Sequence, residues 1–207
     1  MRRVFFLGNG KTGTSTLGRT MKSVGLGSMH HGPWCQWAND HNKKAYENCP
    51  KSTFNGGKVY DWRRGTFFDL KWLYETFPNS FYVLNSRNLK GWLVSWWNHE
   101  NRKSKVMDEM FLTKNTYYRN TWHSKVVEFF KDKPNFCTLD LGSESKEVIL
   151  EKLSKATDKK VSRLLNNNIA PRKHYVKNPE IVQRVLEKMN ITPDQYDLLF
   201  IENLSEK

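Results

Sequence analysis

Cysteine is scarce in this chain: three residues in 207, Cys35, Cys49 and Cys137. A small, odd number in a chain this long does not make a disulfide framework. Reduced thiols are expected, with a Cys35–Cys49 bridge as the alternative. Long uncharged apolar runs are missing too, whereas a membrane span needs about 20 consecutive apolar residues. Met1-Arg2-Arg3 before Val4-Phe5-Phe6-Leu7 begins like a secretion signal, but Gly8-Asn9-Gly10-Lys11 ends the run, short of the usual apolar stretch of about 7–15 residues. No targeting segment is read, so a cytoplasmic protein without membrane association is expected. Acidic residues are few, 21 against 34 Lys and Arg, for a net charge of +13. Such a field attracts polyanions or small anions of several charges. Nucleic acid, anionic glycans, an acidic membrane surface and nucleotides all suit it. Internal repeats and low-complexity linkers are absent, and the length fits a single domain over 1–207. Aromatics, by contrast, are plentiful. Eight Trp, eight Tyr and twelve Phe supply a core that a disordered chain lacks.

Along the chain, apolar strand-like runs alternate with helical patterns. Val4–Leu7 is a short apolar run, and Leu17, Met21 and Val24 then share one helical face over Thr14–Val24, with Gly25 placed to end it. Residues 27–57 are irregular and long for a connection, which predicts short helices or a role at a site. Lys58–Asp61 reads as a second strand and Phe68–Phe77 as a helix stopped by Pro78. Phe81–Leu84 is a strong strand, followed by helical patterns over Trp92–His99 and Thr121–Phe130. Phe136–Leu141 is a strand, Ser145–Ala156 a helix burying Val148, Ile149, Leu150 and Leu153, and Pro179–Met189 a closing helix. Strands separated by helices predict an α/β fold, a parallel sheet of three to five strands covered on both faces.

Two segments carry chemistry. The first is Gly8-Asn9-Gly10-Lys11-Thr12-Gly13-Thr14-Ser15-Thr16-Leu17, between the first strand and the first helix. Glycines let backbone approach an anion, and a helix N-terminus offers unpaired N–H groups and a positive dipole end. Lys11 adds a mobile charge, and Thr12, Thr14, Ser15 and Thr16 add hydroxyls. The letters are not those of a Walker A loop, which would need Gly where Phe5 stands. A kinase nonetheless stays open, since Thr12 could meet Mg²⁺; an unliganded turn with a Ser/Thr cap is the plain alternative. The second segment is Phe81-Tyr82-Val83-Leu84-Asn85-Ser86-Arg87-Asn88-Leu89, followed by Gly91-Trp92-Leu93-Val94-Ser95. Arg87 sits at a strand's carboxyl end, where open α/β sheets bind ligands. Arg87 and Ser95 together can hold a phosphate. A surface ion pair and a packing serine are the plain alternative.

Together the two segments resemble the PAPS-dependent sulfotransferase family. Lys11–Leu17 resembles its 5′-phosphosulfate loop, and Leu84–Asn88 with Trp92 and Ser95 its 3′-phosphate motif. The spacing of Tyr60-Asp61-Trp62, Phe68, Leu73 and Phe77–Phe81 is similar. The resemblance covers residues 3–100 and thins over 135–175, where Leu139-Asp140-Leu141, Asn168 and Pro171-Arg172-Lys173 match its late cofactor segment. Asn88 stands where an Asp is common, Arg63 where a Pro is frequent, and the chain is short for the family.

The resemblance implies a three-layer α/β/α, P-loop NTPase-like fold. It also implies transfer of a sulfuryl group from 3′-phosphoadenosine 5′-phosphosulfate (PAPS) to a hydroxyl or amine, releasing PAP, without a metal. Lys11 and residues Thr12, Gly13, Thr14, Ser15 and Thr16 would hold the 5′ end. Arg87 and Ser95, with Arg172 and Lys173 behind them, would hold the 3′-phosphate. Asp61 is the first candidate for general base, on the same sheet edge as the phosphate loop; His30 and His31 follow. His99 reads as structural. Trp34 or Trp92 could stack on adenine, although packing is the commoner use of such residues. A zinc site from His30, His31, Cys35, His41 and Cys49 fits no standard spacing. Arg63 and Arg64 are candidates to meet an anionic acceptor. Basic residues over 102–133, among them Arg102, Lys103, Lys105, Lys114, Arg119 and Lys125, read as a lid, an acceptor surface or a solvated face. The acceptor is a small molecule, glycan or peptide. No nucleic-acid motif is present, so a nucleic-acid-binding module rests on charge and aromatics alone.

Overall fold

The computed structural model describes residues 2–57, 59–61, 65–101, 108–165, 176 and 179–204. The elements run β1 (Val4–Phe6), α1 (Thr14–Ser23), β2 (Ser28–His30), α2 (Trp34–Asn39), α3 (Lys43–Glu47), β3 (Thr53–Asn55), β4 (Tyr60–Asp61), β5 (Thr66–Phe67), α4 (Leu70–Thr76), β6 (Phe81–Ser86), α5 (Leu89–Asn101), α6 (Glu109–Phe130), β7 (Phe136–Asp140), α7 (Lys146–Thr157) and α8 (Glu180–Lys188). Five strands form one parallel sheet in the order β2-β3-β1-β6-β7. Helices flank it, as the alternation of strand and helix predicts. Among the described residues, no helix is long and apolar enough to cross a membrane.

The strand residues explain the layers. Successive side chains on a strand point to opposite faces. Phe5, Leu7, Tyr82 and Leu84 therefore join one core, with Trp34, Phe54, Trp122 and Phe130. Val4, Phe6, Phe81 and Val83 join the other, with Leu17 and Met21 of α1 and Ile149 and Leu153 of α7. A third cluster packs α5 and α6 against α8. Local signals set the helix ends. Asp69 accepts from Trp72 N at 2.9 Å to cap α4. Asp108 accepts from Phe111 N at 2.6 Å to cap α6. Gly25, at φ 76°, follows α1 in the left-handed region.

The structure amends the sequence reading in four places. Residues 27–57 hold two strands of the main sheet, β2 and β3, besides the two short helices α2 and α3. The strand expected at Lys58–Asp61 is β4, which pairs antiparallel with β5 in a separate two-stranded ribbon. The helix expected from Thr121 starts a dozen residues earlier, at Glu109. In α7, Val148 is 40% exposed, and Ile149, Leu153 and Ala156 form the buried face.

β1 lies at the point where the connections diverge. Its exit through α1 leads to β2 and β3 on one side, while β6 leads through α5 and α6 to β7 on the other. The crevice at the carboxyl ends of β1 and β6 is thus the position where open α/β sheets take ligands.

Candidate active site

The turn after β1 is held by the tip of β6. Leu7 N donates to Val83 O at 2.8 Å, and one residue later the ladder gives way to a side chain: Gly8 N donates to Asn85 Oδ1 at 2.9 Å. The fully buried Asn85 amide also donates to Thr12 Oγ1 at 2.7 Å and to Thr12 O at 3.2 Å. Gly8 is required by this contact, because a Cβ there would lie 1.9 Å from Asn85 O. Lys11 at φ 70° and Gly13 at φ 80° are both left-handed, which curls the segment into a cup above α1. Gly13 gives α1 no side-chain cap, and the first turn carries no acid. The amides of that turn keep their bonding capacity and positive dipole end for an anion.

Thr12 was expected to meet the ligand, but its side chain is fully buried and serves the loop itself. Its hydroxyl donates to Asn9 O at 2.6 Å and accepts from Asn85. With its proton and a lone pair committed, it is poorly placed as a Mg²⁺ ligand. Thr14 is nearly buried and pairs with His30 Nε2 at 3.1 Å; Ser15 and Thr16 are half-buried.

His30 and His31 form the wall beside α1, at the end of β2. Their ring centroids are 3.8 Å apart. Burial, then neighbouring His31 and Lys22, push the His30 imidazole down to about 4, so it is neutral at pH 7. His31 Nδ1 is 2.6 Å from Gly56 O. A carbonyl oxygen only accepts, so Nδ1 carries a proton, and in the neutral ring Nε2 is the nitrogen with the lone pair. Gly56, at φ 63°, keeps this wall closed: a Cβ there would lie 2.8 Å from His30 Cδ2. Asp61 is not on the main sheet's edge as expected; its backbone belongs to the β4–β5 ribbon, paired with Thr66.

The second candidate anion element is the tip after β6. Arg87 is half-buried and runs between the start of α5 and the turn after β7. A Cβ at Gly91 would come within 3.2 Å of Arg87 Nε, and one at Gly142 within 3.3 Å of Arg87 Cγ. The two glycines keep that lane clear. Asn88 Oδ1 accepts from Gly91 N at 2.8 Å, capping α5, while its amide donates to Asp197 Oδ1 at 2.8 Å. An Asp could make only the first bond, which gives the Asn a physical reason. Ser95, also half-buried, lies two turns along α5.

The two elements are physically joined. Trp92 Nε1 donates to Gly10 O at 2.8 Å, tying α5 to the loop. The Lys11 ammonium lies 5.5 Å from the centroid of the Trp96 ring. Arg119, from the middle of α6, donates to Arg87 O at 2.9 Å and Ser86 Oγ at 3.2 Å. At 2% exposure it is no solvated face. Neither expected adenine partner has an open ring. Trp34 is fully buried among Phe5, Phe54 and Phe68, and Trp92 is 1% exposed.

A cavity of about 620 Å³ lies between the β4–β5 ribbon and α6, walled by Tyr60, Phe67, Tyr118, Trp122 and Phe129, with Lys125 beside them. Trp122 Nε1 donates to Leu7 O at 2.6 Å, so this cavity backs onto the start of the phosphate loop. All three cysteines are unpaired. Among the described residues, no three metal-ligating side chains converge. Arg63, Arg64, Arg172 and Lys173 lie outside the described residues.

Asn85, read only as part of the Leu84–Asn88 motif, and Arg119, read only as one of the basic residues over 102–133, have roles that the sequence reading does not assign. The signal for Asn85 was an amide ending an apolar strand. Arg119 had none that set it apart from its basic neighbours.

No curated protein sequence matches the chain. The family model described as Sulfotransferase domain matches residues 3–168, which include the phosphate loop, β6, the Arg87 tip, α6 and β7. That match spans well over half of the 207 residues. The chain therefore belongs to the sulfotransferase-domain family and is a transferase.

Proposed function

We propose that the protein transfers the sulfuryl group of PAPS to a hydroxyl or amine of a small-molecule, glycan or peptide acceptor in the cytoplasm. The observation that carries this reading is the adjacency of the two anion elements. β1 and β6 are direct sheet partners, and Asn85 and Trp92 lock their exits together. A donor with phosphate groups at both ends of one adenosine needs two such elements at a fixed separation.

The donor set fits the nucleotide. The first-turn amides of α1, the hydroxyls of Ser15 and Thr16, and the cup closed by Gly13 would hold the 5′ end. Arg87, with Ser95, would hold the 3′-phosphate, the group that separates PAPS from ATP. When bound, the donor supplies an activated sulfuryl group on a phosphate leaving group. Lys11 brings a mobile positive charge to offset the negative charge that grows on that phosphate, the type of stabilisation on which such displacements mostly depend. His31 Nε2, the nitrogen that carries the lone pair in the neutral tautomer selected by the bond from Nδ1 to Gly56 O, accepts the acceptor's proton. Asp61 is the alternative base, and the aromatic cavity beside α6 is where we place the acceptor.

Thermal stabilisation by added nucleotide tests the reading. The full chain is expected to be stabilised more by 3′,5′-ADP than by ATP with Mg²⁺; the reverse order would make it a kinase. Salt-sensitive binding to random oligonucleotides with no response to 3′,5′-ADP would make it a nucleic-acid-binding module. With an acceptor in hand, His31→Ala lowers kcat by about 10²–10⁴-fold and barely changes 3′,5′-ADP affinity. If Asp61→Asn gives that loss and His31→Ala does not, the base is Asp61.

A further inference from the structure

Arg119 holds a position that its bonds alone do not explain. It rises from the middle of α6 into the space behind the β6 tip and is 2% exposed. Nη2 donates to the Arg87 carbonyl at 2.9 Å and the Ser86 hydroxyl at 3.2 Å. Its Cζ lies 5.5 Å from the centroid of the Trp92 ring, the same indole that donates to Gly10 O of the phosphate loop. Both hydrogen-bond partners are neutral, so a neutral donor would satisfy them equally well. A buried cation costs far more than a neutral donor unless a counter-charge is close.

Among the described residues, no carboxylate lies within ion-pairing distance of this guanidinium. The acid that acts on it is Asp140, at the end of β7. That carboxylate lies opposite Ser86 in the β6–β7 register and accepts from Gly142 N at 2.6 Å and Ser143 N at 3.2 Å in the turn before α7, so it offsets the buried charge only in part and without a direct bond to it. Among the described residues, the buried Arg119 Nε has no partner. Burial pulls the guanidinium down to about 10, against the opposing pull of Asp140. One turn along α6, His123 adapts to the same charge. It is fully buried, driven well below its ordinary value by burial and then by Arg119, and its Nε2 has no partner among the described residues.

We infer that Arg119 is a positioning and specificity-determining residue for the nucleotide's 3′-phosphate: its buried charge is the standing counter-charge for a dianion held at the Arg87 tip. This rests on the reading of Arg87 given under Proposed function. Two effects act together. The fork to Ser86 Oγ and Arg87 O fixes the backbone from which the Arg87 side chain reaches its ligand. The charge sits out of water, where its field is screened far less than that of a surface lysine. Arg119 does not touch the ligand; it makes the tip prefer one that carries an extra phosphate. A purely structural arginine would support both ends of the nucleotide alike, through Trp92 as much as through Arg87.

Isothermal titration of the full chain with 3′,5′-ADP and with 5′-AMP, which lacks only the 3′-phosphate, separates these roles. The wild type is expected to bind 3′,5′-ADP more tightly. R119M is expected to lose at least about tenfold in 3′,5′-ADP affinity and to hold 5′-AMP within about twofold. R119K keeps the charge and should recover part of the 3′,5′-ADP affinity, whereas S86A, which removes one bond and no charge, should cost less than about threefold. Equal losses for both nucleotides, or no loss for 3′,5′-ADP, would overturn the inference. If R119M does not fold, R119K decides, with an intermediate loss confined to 3′,5′-ADP expected and an equal loss for both nucleotides contradicting it. A wild type that binds the two equally would defeat the assignment of Arg87 itself, and the role of Arg119 with it.

Discussion

Asn85 shows how a single side chain can set the shape of a site. Its amide spends both faces on the phosphate loop, accepting from Gly8 N and donating to Thr12. Removing it leaves buried backbone and hydroxyl groups unpaired, each worth about 1–3 kcal/mol. Asn85→Ala is therefore expected to destabilise the protein by about 2–4 kcal/mol in urea unfolding. A change below about 0.5 kcal/mol, the size of an ordinary surface substitution, would remove Asn85 from this role. Lys11 and Arg87 were legible in the sequence because each stands at a junction of strand and helix, where a basic residue is conspicuous. Asn85 was visible only as the polar end of a strand, since its partners lie 77 and 73 positions away. Arg119 was hidden in plain sight: composition cannot tell a buried arginine from the solvated lysines around it.

At the scale of elements, β1 with its turn and α1, and β6 with α5, could be read directly. Each pairs a strongly apolar run with a clear helical face or a glycine stop. β2 and β3 could not. Each has three residues, too few to display a period, and their place in the sheet comes from neighbours. Ser28 and Thr53 sit opposite each other in one parallel register, and Thr53 is also opposite Val4. β4 reads in the sequence as a strand of the sheet, because a local pattern does not name its partner. The link between α5 and the loop is testable with a conservative change at Trp92, a residue of the third core cluster. Trp92→Phe keeps most of the packing and removes the bond to Gly10 O. It is expected to cost about 1 kcal/mol in stability and to weaken 3′,5′-ADP binding several-fold by freeing the loop. Unchanged binding, at equal stability, would show that the loop keeps its shape unaided.

Across the whole molecule, the sheet order and the charge point the same way. The divergence at β1 and β6 puts the candidate site at the carboxyl ends of the central strands, and a net charge of +13 surrounds it with a field that favours anions. The same burial that builds the site also sets a pH limit. His30, pushed down to about 4, and His123, pushed well below its ordinary value, are both neutral in the folded protein. Unfolded histidines titrate near about 6.5. As pH falls through about 6.5 toward 4, the unfolded chain takes up protons that the folded chain refuses, so stability falls with it. The urea midpoint is expected to be lower at about pH 5.5 than at about pH 7.5. An equal or higher midpoint at the acidic pH would contradict the neutral, buried state of these imidazoles.

The most direct measurement is a crystal structure of the full chain grown with 3′,5′-ADP. The 5′-phosphate should rest on the first-turn amides of α1 beside Lys11, and the 3′-phosphate of the same molecule should meet Arg87. A nucleotide bound anywhere else, or one whose 3′-phosphate leaves Arg87 untouched, would contradict the proposed division of the site between β1 and β6.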